Sequence, residues 1–199
     1  MNDLKDKIVL ITGASSGIGA ATAKKFSEAG AIVIIAARRI DRLETLKNEI
    51  EHVNGKALVL EMNVSERDSV ERGIKKVLDI YKRIDIVFNN AGVMPVSNID
   101  ECKIDEWENM VDVNIKGVLY VTAAVLPTMI EQHAGHIINT SSIAGRKIFG
   151  HGFSVYSATK YAVSTFTEGL RMELGKTHNI RVTSIQHGAT ESELQNTTT

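Results

Sequence analysis

The sequence predicts an α/β protein: a doubly wound parallel β-sheet flanked by helices. Three observations lead there. Short β-branched runs alternate with longer stretches of helical period, the runs are apolar nearly throughout, and a glycine-rich turn joins the first run to the first helix. Continuous apolarity marks strands buried on both faces, as in a parallel sheet. Strand–helix alternation with short joins calls for right-handed crossovers.

In chain order the strands are expected at 7–12, 31–37, 56–62, 84–90, 135–142 and 180–186, and the helices at 17–29, 41–53, 66–81, 105–131 and 156–177. Asp41 is expected to start the second helix, and "SERD" at 65–68 to cap the third, with acidic residues in its first turn. No repeat, low-complexity tract or linker interrupts the pattern, so residues 1–199 are expected to form a single domain. A net charge of −1 provides no global field for nucleic acid or an anionic membrane. Apolar runs such as "AIVIIAA" are too short to cross a bilayer, and the polar start "MNDLKDK" lacks the apolar core of a signal peptide. The single Cys102 forbids an internal disulfide, fits a reducing cytoplasm and has no metal-like spacing around it, so no metal is expected.

Gly13, Gly17 and Gly19 stand between the first strand and the first helix. Glycines there let backbone N–H groups approach a pyrophosphate, whose charge sits on the helix N-terminus. The plainer alternative is a tight strand–helix turn and nothing more. Further on, Tyr156 and Lys160 in "YSATK" are four residues apart and share a helix face. An ammonium beside a phenol favours the phenolate, so Lys160 is expected to lower the Tyr156 pKa from its ordinary value of about 10. Alone, the pair is equally an amphipathic helix with a snorkelling lysine.

Taken in order, "TGASSGIG" at 12–19, "NNAG" at 89–92, "NIKG" at 114–117, "INTSSIAG" at 138–145 and "YSATK" at 156–160 resemble the short-chain dehydrogenase/reductase family over essentially the whole chain. Within it the sequence is similar to NADP-preferring bacterial-type oxidoreductases. The resemblance implies a Rossmann-like fold and hydride transfer between NADP(H) and the carbonyl or secondary alcohol of a small substrate. It implies four catalytic residues: Tyr156 as acid/base, Ser142 bonding the substrate oxygen, Lys160 holding the nicotinamide ribose, and Asn114 holding a water of the proton relay. Ser141 is the adjacent competitor for the serine role, and Asn114 could instead be a structural amide in a kinked helix. The cofactor contacts it implies are Gly13, Ser15, Ser16, Gly17, Ile18 and Gly19 in the turn; Arg38, Arg39, Asn63 and Val64 around the adenosine; and Asn90, Ala91, Gly92, Tyr156, Lys160 and Gly188 toward the nicotinamide.

Ala37 stands where NAD-preferring relatives would carry Asp, and the two arginines after it suit a 2′-phosphate, aided by the Ser15 hydroxyl, unless they only decorate the next helix. NADPH is therefore expected. Asn63 replaces a common Asp, and its carbonyl is expected to accept from the adenine amine. Substrate contacts are expected from 93–97, from 146–155 with Phe149, His151 and Phe153, and from the chain after the sixth strand. His187 occupies the position of the family's proline, loosening that loop and offering an imidazole, or is simply tolerated. The family continues with a further helix and strand that the 199 residues do not include. Trp107 and Tyr120 are expected in core or subunit packing, and the helices around 105–131 and 156–177 to build a homodimer or homotetramer. Competing readings are a 3-oxoacyl-thioester reductase, or a cofactor-binding protein without efficient turnover.

Overall fold

The computed structural model describes residues 4–148, 150–190 and 194. Six strands, β1 (Ile8–Thr12), β2 (Ile32–Ala37), β3 (Lys56–Glu61), β4 (Ile86–Asn89), β5 (Gly135–Thr140) and β6 (Ile180–Ile185), form one sheet in the order β3-β2-β1-β4-β5-β6. Every pairing is parallel. The chain winds outward from β1 to β3, returns to β4 beside β1, and winds outward again. A crevice opens at the carboxyl ends of the strands where the winding reverses, between β1 and β4.

Alternate residues of each strand feed two cores. Leu10, Ile34, Val87 and Ile137 face one layer, built from α3 (Arg67–Tyr81), α4 (Ile104–Val111), α5 (Gly117–Glu131) and α6 (Ser154–Leu174). Val9, Ile11, Val33, Ile35 and Phe88 face the other, built from α1 (Gly17–Glu28) and α2 (Ile40–His52). Burial on both faces explains the missing period-two alternation, and each fully buried Leu or Ile contributes about 1.5–3 kcal/mol.

Local details depart from the sequence reading. Arg39, not Asp41, precedes α2, and Asp41 lies in its first turn, where a carboxylate favours the helix dipole. Glu66, not Ser65, stands at the cap of α3, because Ser65 is drawn to the Asn63 side chain. The single helix expected over 105–131 contains a π turn, Asp112–Lys116. Among the described residues this composite, Ile104–Glu131, is long and apolar enough to cross a membrane, which the short runs did not suggest. Its apolarity is accounted for by packing: Met110, Val121, Val125 and Met129 are buried against the sheet. Trp107 and Tyr120 are partly buried against that core.

At the opposite end of the sheet from the crevice, Asp85 ties β1 to β4. Its carboxylate accepts from the Ile8 N–H at 2.9 Å, from Lys7 at 3.3 Å, and from Arg83. Burial pushes its pKa up, but the bonds from Arg83, Ile8 and Lys7 outweigh burial and hold it below the ordinary value. A depressed carboxyl stabilises the fold above its unfolded pKa of about 3.9 and loses that contribution as pH falls through the folded value. Asp85→Asn is expected to cost about 1–3 kcal/mol at neutral pH. Urea midpoints of the two chains should converge as the pH is lowered past the carboxyl range; a gap that persisted there would assign the effect to packing.

Candidate active site

The site begins with a knot between the ends of β1 and β4. Thr12 Oγ1 accepts from the N–H groups of Asn90 and Ala91 at 3.0 and 3.1 Å and donates to the Phe88 carbonyl at 3.4 Å. Asn90 Nδ2 donates back to the carbonyls of Thr12 and Gly13 at 3.1 and 3.3 Å. Gly13 turns away with φ 65°, and a Cβ on it would lie 2.7 Å from Ala91 Cα. A Cβ on Gly19 would lie 2.3 Å from the Gly13 carbonyl oxygen. Both glycines are therefore demanded by close approach, in addition to any ligand contact.

α1 starts directly on this turn. Ser16 occupies its cap position, yet its side chain makes no capping bond and instead accepts from Arg39 Nη2 at 3.0 Å. The first-turn N–H groups thus have no side-chain cap, which fits an anion at the helix N-terminus. Arg39 also reaches Ser15 Oγ through Nε and Nη2, at 3.2 and 2.9 Å. Arg38 and Arg39 are exposed and line the same cavity as Ala37 at the end of β2.

Asn63 departs from its expected role. Its Oδ1 accepts from both the N–H and the hydroxyl of Ser65, at 3.3 and 2.9 Å, and its Nδ2 donates to Glu66 at 2.8 Å. Both carbonyl lone pairs are in use within the local turn, and Asn63 and Val64 both line that same cavity.

The catalytic end converges on β5 and α6. Ser142 opens the short 3₁₀ turn Ile143–Gly145, its Oγ accepting from the Ala144 N–H at 3.1 Å and bonding the Tyr156 side chain. Ser141 faces the other way: its Oγ donates to the Lys160 carbonyl at 2.9 Å and lies 2.8 Å from Ser164 Oγ. The structure thereby separates the two serines, placing Ser142 in the cavity and Ser141 behind it. Lys160 is buried, donates to the Thr140 carbonyl at 2.9 Å, and stands 5.6 Å from the centre of the Tyr156 ring. Asn114 rides the π turn, inside the helix layer at 1 % exposure. It accepts from the Val93 N–H and donates to the Val93 carbonyl, both at 2.9 Å, and donates to Thr159 Oγ1 at 3.1 Å. Its side chain pins the loop after β4 to the catalytic helix, and the π turn swings it into reach of both.

Electrostatics overturn one expectation. The Tyr156 pKa lies above its ordinary value, because burial pushes it up and the Ser142 bond only partly offsets that. Lys160 does not act as its depressant here; its ammonium is directed to Thr140. Burial lowers Lys160 itself from 10.5 to about 8.

One cavity of about 540 Å³ unites these parts. Of the catalytic and cofactor-contact residues named from the sequence, all but Gly19 and Asn114 line it. Val93, Met94 and Phe153 line it as expected, whereas His151 lies in a separate shallow groove with Asn98 and Asp100. The glycines on either side of His151 carry it outward there: a Cβ on Gly152 would come within 2.8 Å of Val96. Phe149 lies outside the described residues. Thr12, Met62, Thr140 and Thr190 escaped the sequence reading. Thr12 carried a signal, a hydroxyl ending an apolar strand just before the glycine turn.

A Rossmann-like sheet with a glycine cradle at its switch point, and a serine, tyrosine and lysine at the other end of one cavity, defines a nucleotide-dependent oxidoreductase. The short chain dehydrogenase model matches residues 7–199, and the chain belongs to that family. It is 48% identical over 197 residues to an uncharacterised oxidoreductase of Staphylococcus saprophyticus, covering 98% of this chain and 78% of that protein. A short chain dehydrogenase/reductase from Burkholderia phymatum, solved with NAD, superposes with a TM-score of 0.93 at 26% identity, covering 98% of this chain and 69% of that one. A gluconate 5-dehydrogenase from Burkholderia cenocepacia, solved with NADP and tartrate, gives 0.90 at 31% identity over 96% and 74% of the two chains.

Thr12→Val keeps the side-chain shape but removes the acceptor of two half-buried N–H groups, at about 1 kcal/mol each. Chemical denaturation should show that loss together with weakened nucleotide binding; unchanged stability would mean the knot is not a structural joint. Lys160→Met tests the opposite sign. The folded lysine pKa lies below the unfolded one, so stability rises with pH between about 8 and 10.5, and the charge costs the free fold below that window. At about 1.4 kcal/mol per pKa unit the cost is about 3 kcal/mol at neutral pH. Melting curves should therefore show Lys160→Met more stable than the parent at pH 7, with no rise across that window.

Proposed function

We propose that the protein transfers hydride between NADP(H) and the carbonyl or secondary alcohol of a small substrate, with Tyr156 as the acid/base. One observation carries this: a single cavity has Ser15, Arg38 and Arg39 at one end and the bonded Ser142–Tyr156 pair beside Lys160 at the other. The nicotinamide cofactor, when bound, supplies or accepts the hydride. Ser142 and Tyr156 donate hydrogen bonds to the substrate oxygen as negative charge builds on it. Tyr156, its pKa raised by burial, rests as a neutral phenol and is ready to give its proton in the reducing direction. Lys160, anchored on the Thr140 carbonyl beside the Tyr156 ring, would hold the nicotinamide ribose of a bound cofactor. Asn114 acts by holding the Val93 loop and Thr159 in register with that helix.

The choice of NADP over NAD rests on this chain's own residues, since neighbours of both kinds are known. No carboxylate ends β2, and Arg38 makes no hydrogen bond or ion pair with any described residue, leaving its fork for a phosphate dianion. Arg39 and Ser15 already lie side by side. The exposed Ile104, Val111, Tyr161 and Met172 on α4 and α6 suit association into a homodimer or homotetramer, in the cytoplasm.

Fluorescence titration is expected to show NADPH binding at least about tenfold tighter than NADH, a gap of about 1.4 kcal/mol, which Arg38→Ala narrows to within a few-fold. Tyr156→Phe should keep NADPH binding while turnover of a ketone falls by about 10²–10⁴-fold. Binding of neither nucleotide would refute the cofactor reading, and full activity in Tyr156→Phe the catalytic one.

A further inference from the structure

Apart from Ser142 and Tyr156, the far end of the cavity is walled by Met94, Ile143 and Phe153, with His187 among them. His187 follows β6, and its carbonyl accepts from the Ile143 N–H at 3.1 Å, which seats it beside the turn that Ser142 opens. Its Nδ1 lies 2.8 Å from the Gly188 carbonyl oxygen. A carbonyl only accepts, so Nδ1 carries the hydrogen, and the neutral ring leaves a lone pair on Nε2. Nothing among the described residues bonds Nε2. The nearby Thr190 hydroxyl is spent on the same Gly188 carbonyl, at 3.2 Å.

The arrangement presents an apolar wall, two hydroxyls for the reacting oxygen and one additional accepting atom. We infer that His187 is a specificity residue selecting substrates with a hydroxyl next to the reacting carbonyl: α-hydroxy ketones and, in reverse, vicinal diols. The adjacent hydroxyl donates to Nε2, while the other arm of the substrate lies on Met94, Ile143 and Phe153. This rests on the proposed function, and the reaction is its own: the carbonyl π bond opens, carbon gains hydride from the reduced nicotinamide cofactor, and oxygen gains the Tyr156 proton.

The test compares acetoin with butanone, which lacks only the hydroxyl, on the full chain. Binding to the NADP⁺-loaded protein is read by calorimetry and reduction with NADPH by kcat/KM. The parent should prefer acetoin by about tenfold, as one neutral hydrogen bond allows. His187→Asn keeps a donor at the Nδ1 position but has no atom at Nε2; it should lose the preference while its NADPH affinity is unchanged. His187→Gln, whose amide oxygen reaches the Nε2 position, should restore part of it. Equal affinity for the two ketones in the parent, or an undiminished preference in His187→Asn, overturns the inference. Failure to bind NADPH would count separately against the cofactor reading.

Discussion

The joint between β1 and β4 is the constraint on which the rest depends. At the point where the sheet reverses its winding, two strand ends must come close enough to leave a crevice and still satisfy their backbone groups. Thr12 and Asn90 do this reciprocally, five bonds passing between or beside the two strands. The closeness of that joint excludes a Cβ at Gly13, and the seating of α1 against it excludes one at Gly19. The glycines of that turn are thus demanded by strand and helix packing whatever the turn goes on to hold.

The catalytic end is built at a cost to stability. Lys160 is a buried ammonium on the cavity wall whose side-chain bond among the described residues is to the Thr140 carbonyl, and burial rather than a counter-ion governs its pKa. Isolated buried charges are expensive. Around Lys160 the layer is tied by buried side-chain bonds: Asn139 bonds Asn89 and Thr167, and Ser141 holds the Lys160 backbone, although Thr140 Oγ1 and Ser157 Oγ have no partner among the described residues. These bonds join β4, β5 and α6, the elements that carry the site. Rigidity of that layer keeps a phenol, a hydroxyl and an ammonium converged without a ligand to gather them.

Selectivity sits on softer ground, at the ends of strands and the loops after them. Arg38 and Arg39 follow β2, Met94 follows β4, and His187 follows β6. Each lines the cavity from the segment after a different strand, outside the β1–β4 joint and α6. The two functions are separated in space for that reason.

Much of this was legible in the sequence. Short β-branched runs located all six strands to within a few residues; in β1, β2 and β4 burial on both faces writes itself into consecutive apolar side chains, while the edge strands β3 and β6 keep exposed positions. Ordered motifs announced the family, and the glycines placed the turn between the first strand and the first helix. Tertiary structure alone decided the rest. The π turn exists because Asn114 must reach Val93 and Thr159, partners 21 and 45 residues away. Ser142 was separated from Ser141 by the direction in which each faces, which adjacency in the chain does not encode. Asn63 was claimed by its neighbours, and Tyr156 was pushed up rather than down because burial outweighed the Ser142 hydrogen bond. Sequence spacing records which groups can meet along one element; desolvation and long-range partners, which set how those groups behave, exist only once the layers have packed.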